Sequence, residues 1–306
     1  MVYLVSTFFK MQNDNLKNYL LLHLIVFIWG FTAVLGKLIS IDALPLVWYR
    51  MFLAAITILI YIGIRKFSLK VPSKTLLVLV IAGIVIALHW ITFFSAIKVS
   101  NVSVALATMA TGAFFGSLLE PLWYGRKIIG YEVVFGLIVI IGLYFIFNVS
   151  TEYTLGIVLA LVSALLGAVF TLINGQLIKT HKPSIIGFYE LFSGMLFITI
   201  YILFQTGFSR EFFDLSRSDW GYLLILATIC TAYAFIASVK IMRFISPYTV
   251  LLTVNLEPIY GILLAFAIFG ESEKMNGLFY IGAAIILVTV IANGILKNRK
   301  RLKRMG

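Results

Sequence analysis

Ten runs of roughly 20 apolar residues recur along the chain, at 19–38, 44–64, 75–97, 102–123, 129–147, 156–178, 184–206, 220–241, 246–269 and 277–296. Each is long enough to cross about 30 Å of hydrocarbon as a helix. Backbone groups in lipid must be satisfied within their own segment, and the runs lack the alternation of barrel strands, so each is expected to be helical. The chain therefore reads as an all-α integral membrane protein with ten transmembrane helices and almost no soluble mass. A hydrophobic content of 62% and a mean hydropathy of +1.07 exceed what a water-soluble core requires and agree with that reading.

The net charge of +12 is informative through its placement. With the N-terminus in the cytoplasm, Arg65, Lys66, Lys70, Lys74, Arg126, Lys127, Lys179, Lys182, Lys240, Arg243 and the tail "KNRKRLKR" all fall inside. The opposite loops carry Asp42, Glu152, the mixed stretch "SREFFDLSRSD" and "GESEK". Most Lys and Arg thus sit on one side, which predicts a multi-pass cell-membrane protein with both termini cytoplasmic. The basic tail is a topology anchor near anionic lipid, and no nucleic-acid partner is expected.

Other chemistries are poorly supported. The first residues lack the charge pattern and cleavage site of a secretory signal, and Met11 before "QNDN" is a candidate start. Cys230 is the only cysteine and His23, His89 and His181 lie on different segments, so neither a disulfide framework nor a metal site is expected. "GFTAVLGKL" at 30–38 has one residue too many between its glycines for a phosphate loop, and no Ser or Thr follows Lys37. No cofactor is implied.

An internal repeat says more. When "YGRK" at Tyr124 is laid on "FGES" at Phe269 without gaps, Leu106 falls on Leu251, Thr108 on Thr253, Gly116 on Gly261, Leu118 and Leu119 on Leu263 and Leu264, and Gly125 on Gly270. The chain divides into a cytoplasmic segment 1–18, a repeat 19–147, a second repeat 156–296 and the tail 297–306. Each copy has about five helices, and an odd number inverts the second copy relative to the first, a geometry that lets a midplane site face either side in turn.

Two tandem five-helix units, "FIWGFTAVLGKLI", "PLVWYR", "FFSAIKVSNVSVA" and "PYTVLLTVNLEPIYGILLAFAIFGE" together resemble the EamA family of the drug/metabolite transporter superfamily. The resemblance implies a ten-helix secondary transporter of amino acids or related small metabolites, commonly an exporter, with a central cavity lined by both halves. Many members carry a proline in the fourth helix of each copy near the position of Pro258; the first copy here has Ala113 at that point and Pro121 further along.

Polar residues within the spans are the candidates for substrate binding or coupling, since a charge at a helix centre costs about 2.5–3.5 kcal/mol on insertion scales. Arg50 and Glu190, each roughly 9 Å from its own surface, are too far apart in depth for a simple salt bridge. Arg50 either attracts an anionic group at the outer vestibule or snorkels outward. Glu120 reads as a local ion pair with Arg126 or Lys127. His89 and Trp90 lie just past the middle of the third helix, where the imidazole binds a solute, shuttles a proton or bonds a neighbouring helix. Trp29, Trp48, Tyr49, Tyr189, Tyr233 and Tyr260 are candidate cavity walls, and "GAFFG" at Gly112 reads as close helix packing.

Glu257 lies near the bilayer midplane beside Pro258, which removes an amide that would have bonded the Val254 carbonyl. Two readings stand side by side: a protonated carboxyl serving the loosened helix or Asn255, and a group that alternates between a proton and a cationic substrate. The helices at 129–147 and 277–296 hold little polar material beyond Thr289 and are expected at the periphery. The functional expectation is a small-molecule exporter in the lipid bilayer, a monomer or homodimer, with proton coupling one option; a multidrug efflux protein, a membrane-embedded lipid-acting enzyme and, more weakly, a sensor or scaffold are the alternatives.

Overall fold

The structure, a computed structural model, describes residues 2–125, 130–149, 151–205 and 207–302, with side chains for most of 16–296. Arg126, Lys127 and the side chains of the basic tail, on which part of the charge asymmetry rests, lie outside the described residues.

Among the described residues all regular structure is helical. The first half contains α1 (Val2–Leu38), α2 (Ala43–Ile64), α3 (Ser73–Val99), α4 (Val102–Met109), α5 (Gly112–Tyr124) and α6 (Gly130–Val149). The second contains α7 (Thr154–Leu177), α8 (Pro183–Gln205), the short α9 (Arg210–Phe213), α10 (Arg217–Ala227), a π-helical turn at Thr228–Tyr233, α11 (Ala234–Ile241), α12 (Pro247–Val254), α13 (Glu257–Phe269) and α14 (Gly277–Leu302). Among the described residues, seven stretches are long and apolar enough to cross a membrane: Leu16–Leu38, Ala43–Ile64, Ser73–Val99, Val102–Tyr124, Thr154–Leu177, Pro183–Gln205 and Arg217–Ile241. Of the three further runs expected to span, two yield the shorter apolar stretches Val134–Ile146 and Gly277–Thr289. The remaining one is divided between α12 and α13. Leu20, Leu137, Ile140, Leu224, Leu263 and Phe266 are exposed on the bundle surface, an arrangement that lipid, not water, solvates.

The helices run back and forth between two ends. One holds the α2–α3 connection and Lys182; the other holds Lys37, Lys98 and Glu273. Glycines set the closest crossings. The Gly83 backbone of α3 lies against the backbone of Glu190 and Gly194 on α8, and a Cβ on Gly142 would fall 2.9 Å from the Gly282 carbonyl, which brings α6 against α14. On the other side of the bundle, a Cβ on Gly30 of α1 would fall 3.0 Å from the Gly261 nitrogen of α13.

The two halves break at the same register. Val102–Met109 matches Pro247–Val254, Gly112–Tyr124 matches Glu257–Phe269, and the left-handed Gly125 (φ 67°) matches Gly270 (φ 59°), the alignment on which the sequence repeat was laid. The packing is reciprocal as well: Leu106 seats in the notch left by Gly261, while its repeat mate Leu251 seats in the notch left by Gly116. Proline is not required for the break. Pro258 falls in the first turn of α13, where a missing amide costs nothing, and α5 starts at the matching place with Ala113 instead. The loosened helix expected at Pro258 is thus a join between two helices, α12 ending at Val254 and α13 starting at Glu257.

Candidate functional site

Several of these interruptions meet at one cavity of about 130 Å³, room for about four waters at roughly 30 Å³ each. Its walls come from α1 (Trp29, Thr32), α2 (Arg50), α3 (Ile86, His89, Trp90, Phe93), the α4–α5 break (Met109, Gly112, Ala113), α7 (Ala164 to Thr171), the π turn and α11 (Cys230 to Val239), and α12–α13 (Val250 to Glu257). None of the lining residues belongs to α6, α8 or α14. The lining reaches Met242 and Val250 at the Lys182 end, but toward the Lys37 end it stops at Thr32, Arg50 and Phe93.

Arg50 is the largest buried polar side chain there, 2% exposed. Instead of snorkelling to the near surface, it turns into the bundle. Its Nε donates to Thr231 Oγ1 at 2.7 Å, and its guanidinium carbon lies 3.7 Å from the centre of the Trp90 ring, a desolvated cation–π pair. Thr231 can serve it because the π turn gives that hydroxyl a backbone acceptor five residues back, the Leu226 carbonyl at 2.7 Å, leaving the oxygen lone pairs for Arg50. Arg50 Nη1 is buried without a hydrogen-bond partner among the described residues. Asn255, 3% exposed, likewise holds its Nδ2 unpartnered. Glu257 opens α13 and lines the same cavity, with no ion pair to Arg50 among the described residues.

His89 also lines the cavity, but its Nδ1 lies 2.8 Å from the Ser163 carbonyl and 2.9 Å from the Ser163 hydroxyl, and Ser163 Oγ donates to the His89 carbonyl at 2.9 Å. The imidazole therefore ties α3 to α7. Trp29 and Trp90 are walls.

The remaining sequence candidates stand elsewhere. Glu190 is fully buried between helices and accepts from Asn174 Nδ2 at 3.1 Å. Tyr189 donates to the Leu69 carbonyl at 2.7 Å, pinning the α2–α3 connection. Tyr233 is 48% exposed on the surface of the bundle. Trp48 and Tyr49 pack with Phe212 at the Lys37 end, and Tyr260 packs on Phe27. Glu120 is buried, while its expected partners Arg126 and Lys127 lie outside the described residues.

Sequence reasoning missed two features. Thr231 and Gly112 carry no charge, and only the helix interruptions give them a role. The other is a polar seal at the Lys37 end. Glu273, 1% exposed, accepts from Lys37 Nζ at 2.7 Å, from the amides of Val102 and Ser103 at 3.2 and 2.9 Å and from Ser103 Oγ at 2.9 Å. Beside it, Asp219 accepts from the amide and hydroxyl of Ser40, both at 2.7 Å, and Lys98 donates to the Ile39 carbonyl. Ends of α1, α3, α4, α10 and α13 are thereby joined beyond Thr32, Arg50 and Phe93, the last lining residues on that side.

Comparison with known proteins gives a consistent picture. Residues 16–148 and 154–294 each match the model of the EamA-like transporter family. An uncharacterized transporter of Archaeoglobus fulgidus is 24% identical over 90% of this chain and 96% of its own length. One from Clostridium kluyveri is 24% identical over 90% and 93%. A chain in a solved crystal structure, 16% identical, superposes with a TM-score of 0.66 over 92% of this chain and 98% of its own, a likeness of fold.

Proposed function

The chain belongs to the EamA-like transporter family, both its halves matching the family model, and from that premise we propose that this multi-pass membrane protein is a secondary transporter of small metabolites, amino acids or related solutes, which it exports. In this reading ten membrane-crossing segments form two inverted five-segment repeats, both termini are cytoplasmic, and the structure corresponds to a state open toward the cytoplasm.

The observation that carries it is a midplane cavity built from both repeats, lined toward one end and sealed at the other by the Glu273 network. Alternating access requires that combination, one site with two doors of which one is shut. The reciprocal seating of Leu106 on Gly261 and Leu251 on Gly116 supports a two-fold relation between the halves, and because α4–α5 starts at the Glu273 end while α12–α13 finishes there, that relation is an inverting one. Glu257 is the coupling candidate: an acid in a cavity that changes sides can take up a proton from one face and release it to the other.

Comparison of metabolites retained and released by cells with and without the protein selects a solute, and flux of that labelled solute in reconstituted vesicles tests the reading. Unaltered solute should cross, and faster with an opposed proton gradient. Return of a chemically changed product would favour a lipid-acting enzyme instead.

A further inference from the structure

The cavity has an uneven supply of hydrogen-bonding groups. Arg50 Nη1 and Asn255 Nδ2 are both donors, both in residues at least 97% buried, and both without a partner among the described residues. A buried donor left unpaired costs about 1–3 kcal/mol, more if it is charged, so two in one cavity call for an acceptor from outside the protein.

The start of α5 adds a field of the same sign. Across the α4–α5 break, Thr111 N–H bonds to the Thr108 carbonyl at 3.1 Å and the next bond on that strand of backbone runs from Phe115 N–H to the Thr111 carbonyl at 3.1 Å. The Phe114 amide makes no bond back to Ala110 or Thr111, and Gly112 and Ala113 line the cavity. They form the positive end of a helix dipole at membrane depth. The matching end of α13 differs, because Glu257 brings a carboxyl to its own first turn and Pro258 has no amide to offer. One half-helix carries an acid at its first residue; the other has Gly112 there and leaves the dipole without a negative partner of its own.

We propose that Arg50 and Asn255 form a binding site for the carboxylate of the transported solute, with Thr231 and Trp90 as positioning residues that hold the guanidinium. This rests on the transport reading and narrows its substrate class. The Trp90 ring covers one face of the guanidinium and Thr231 takes its Nε, so Nη1 remains for the ligand in the plane where charge-assisted bonds form. With Glu257, which lines the same cavity, in its protonated form, Arg50 is left to neutralise a single negative charge. The site therefore takes a monocarboxylate, and a phosphate dianion is left with an uncompensated charge in a low-dielectric cavity.

The test is ligand-induced thermal stabilisation of the full chain purified in detergent, followed by tryptophan fluorescence. The probes are acetate and each of the twenty common L-amino acids, the primary amide of any that responds, and inorganic phosphate. A carboxylate probe is expected to raise the melting midpoint while its amide, of the same shape, does not. Arg50→Gln should abolish the response. Arg50→Lys, which keeps the charge and loses the fork, should need about 10- to 100-fold more ligand, the loss expected for bonds to a charged group. If the Gln variant fails to fold, the acid–amide comparison on the unmodified protein still decides. Equal stabilisation by acid and amide, a full response from Arg50→Gln, a response to phosphate matching that to carboxylates, or silence from every probe overturns the assignment. Vesicle flux separates the two readings: carriage of neutral or cationic solutes without carboxylates keeps transport and discards this site, whereas Arg50-dependent binding without flux does the reverse.

Discussion

Glu273→Gln should unlock the sealed end of the protein. The carboxylate is almost fully buried and takes four donors, Lys37 Nζ, the Val102 and Ser103 amides and Ser103 Oγ. A glutamine keeps one acceptor oxygen and turns an NH₂ group toward donors that have nothing else to bond. The exposed side of the Lys37 pair, whose lysine is 28% exposed, contributes at most about 1 kcal/mol. The charge-assisted bonds to α4 contribute about 1.5–3 kcal/mol each, of which roughly half survive on the remaining oxygen. A net loss of about 2–4 kcal/mol raises the fraction open at this end by about 30- to 1,000-fold. The chain carries its own reporter, since Cys230 is the sole cysteine and lines the cavity. In vesicles of known orientation, a membrane-impermeant thiol reagent applied from the Lys37 side should modify Cys230 faster in the variant by that factor, and Cys230→Ser should remove the signal. Modification from the Lys182 side should not rise. If the variant inserts normally and its Cys230 reacts from the Lys37 side at the unmodified rate, the network is not a door and the reasoning fails.

Other outcomes follow from the same contacts. Gly83→Ala drives a methyl into the Glu190 and Gly194 backbone, where nothing flexible can yield, so it should cost about 1–3 kcal/mol and lower the melting midpoint by several degrees; Gly63→Ala, with nothing within 4 Å, should not. Glu257→Gln keeps shape and hydrogen bonding but cannot ionise, so flux of the identified solute should lose its pH dependence; an unchanged pH profile at the unmodified rate would return Glu257 to a structural role. Thr289→Val should leave vesicle flux unaltered, since Thr289 Oγ1 bonds within its own helix, to the Ile285 carbonyl at 2.6 Å, and no described residue of α14 lines the cavity.

The helical, membrane-embedded character was legible because lipid imposes one rule on every segment, and the run lengths obey it. The repeat register was legible too, and it carried further than expected: the helix ends fall on matching residues even where Pro258 has no proline counterpart. The polar residues that line the cavity could be picked out by the cost of their burial, which is why Arg50, His89, Asn255 and Glu257 all appear among the candidates. Direction could not be read. Whether Glu190 faces the cavity or Asn174, or whether Tyr233 points inward or to lipid, depends on helix rotation, and these segments are apolar on every side, so no polar face betrays it. The Glu273 seal escaped for a different reason. Its partners come from loops and helix ends distant in sequence, and a carboxylate in "GESEK" looks like any solvated turn.

The reciprocal seats of Leu106 on Gly261 and Leu251 on Gly116 bear on how the two access states are balanced. If the halves trade shapes, each leucine finds the same notch it already fills, so the central packing is conserved across the transition and contributes nothing to its direction. Resting preference then belongs entirely to places where the copies differ in residue, Gly112 against Glu257 foremost. The set-point of such a machine can be retuned by substitution at one unmatched position while the pivot remains untouched.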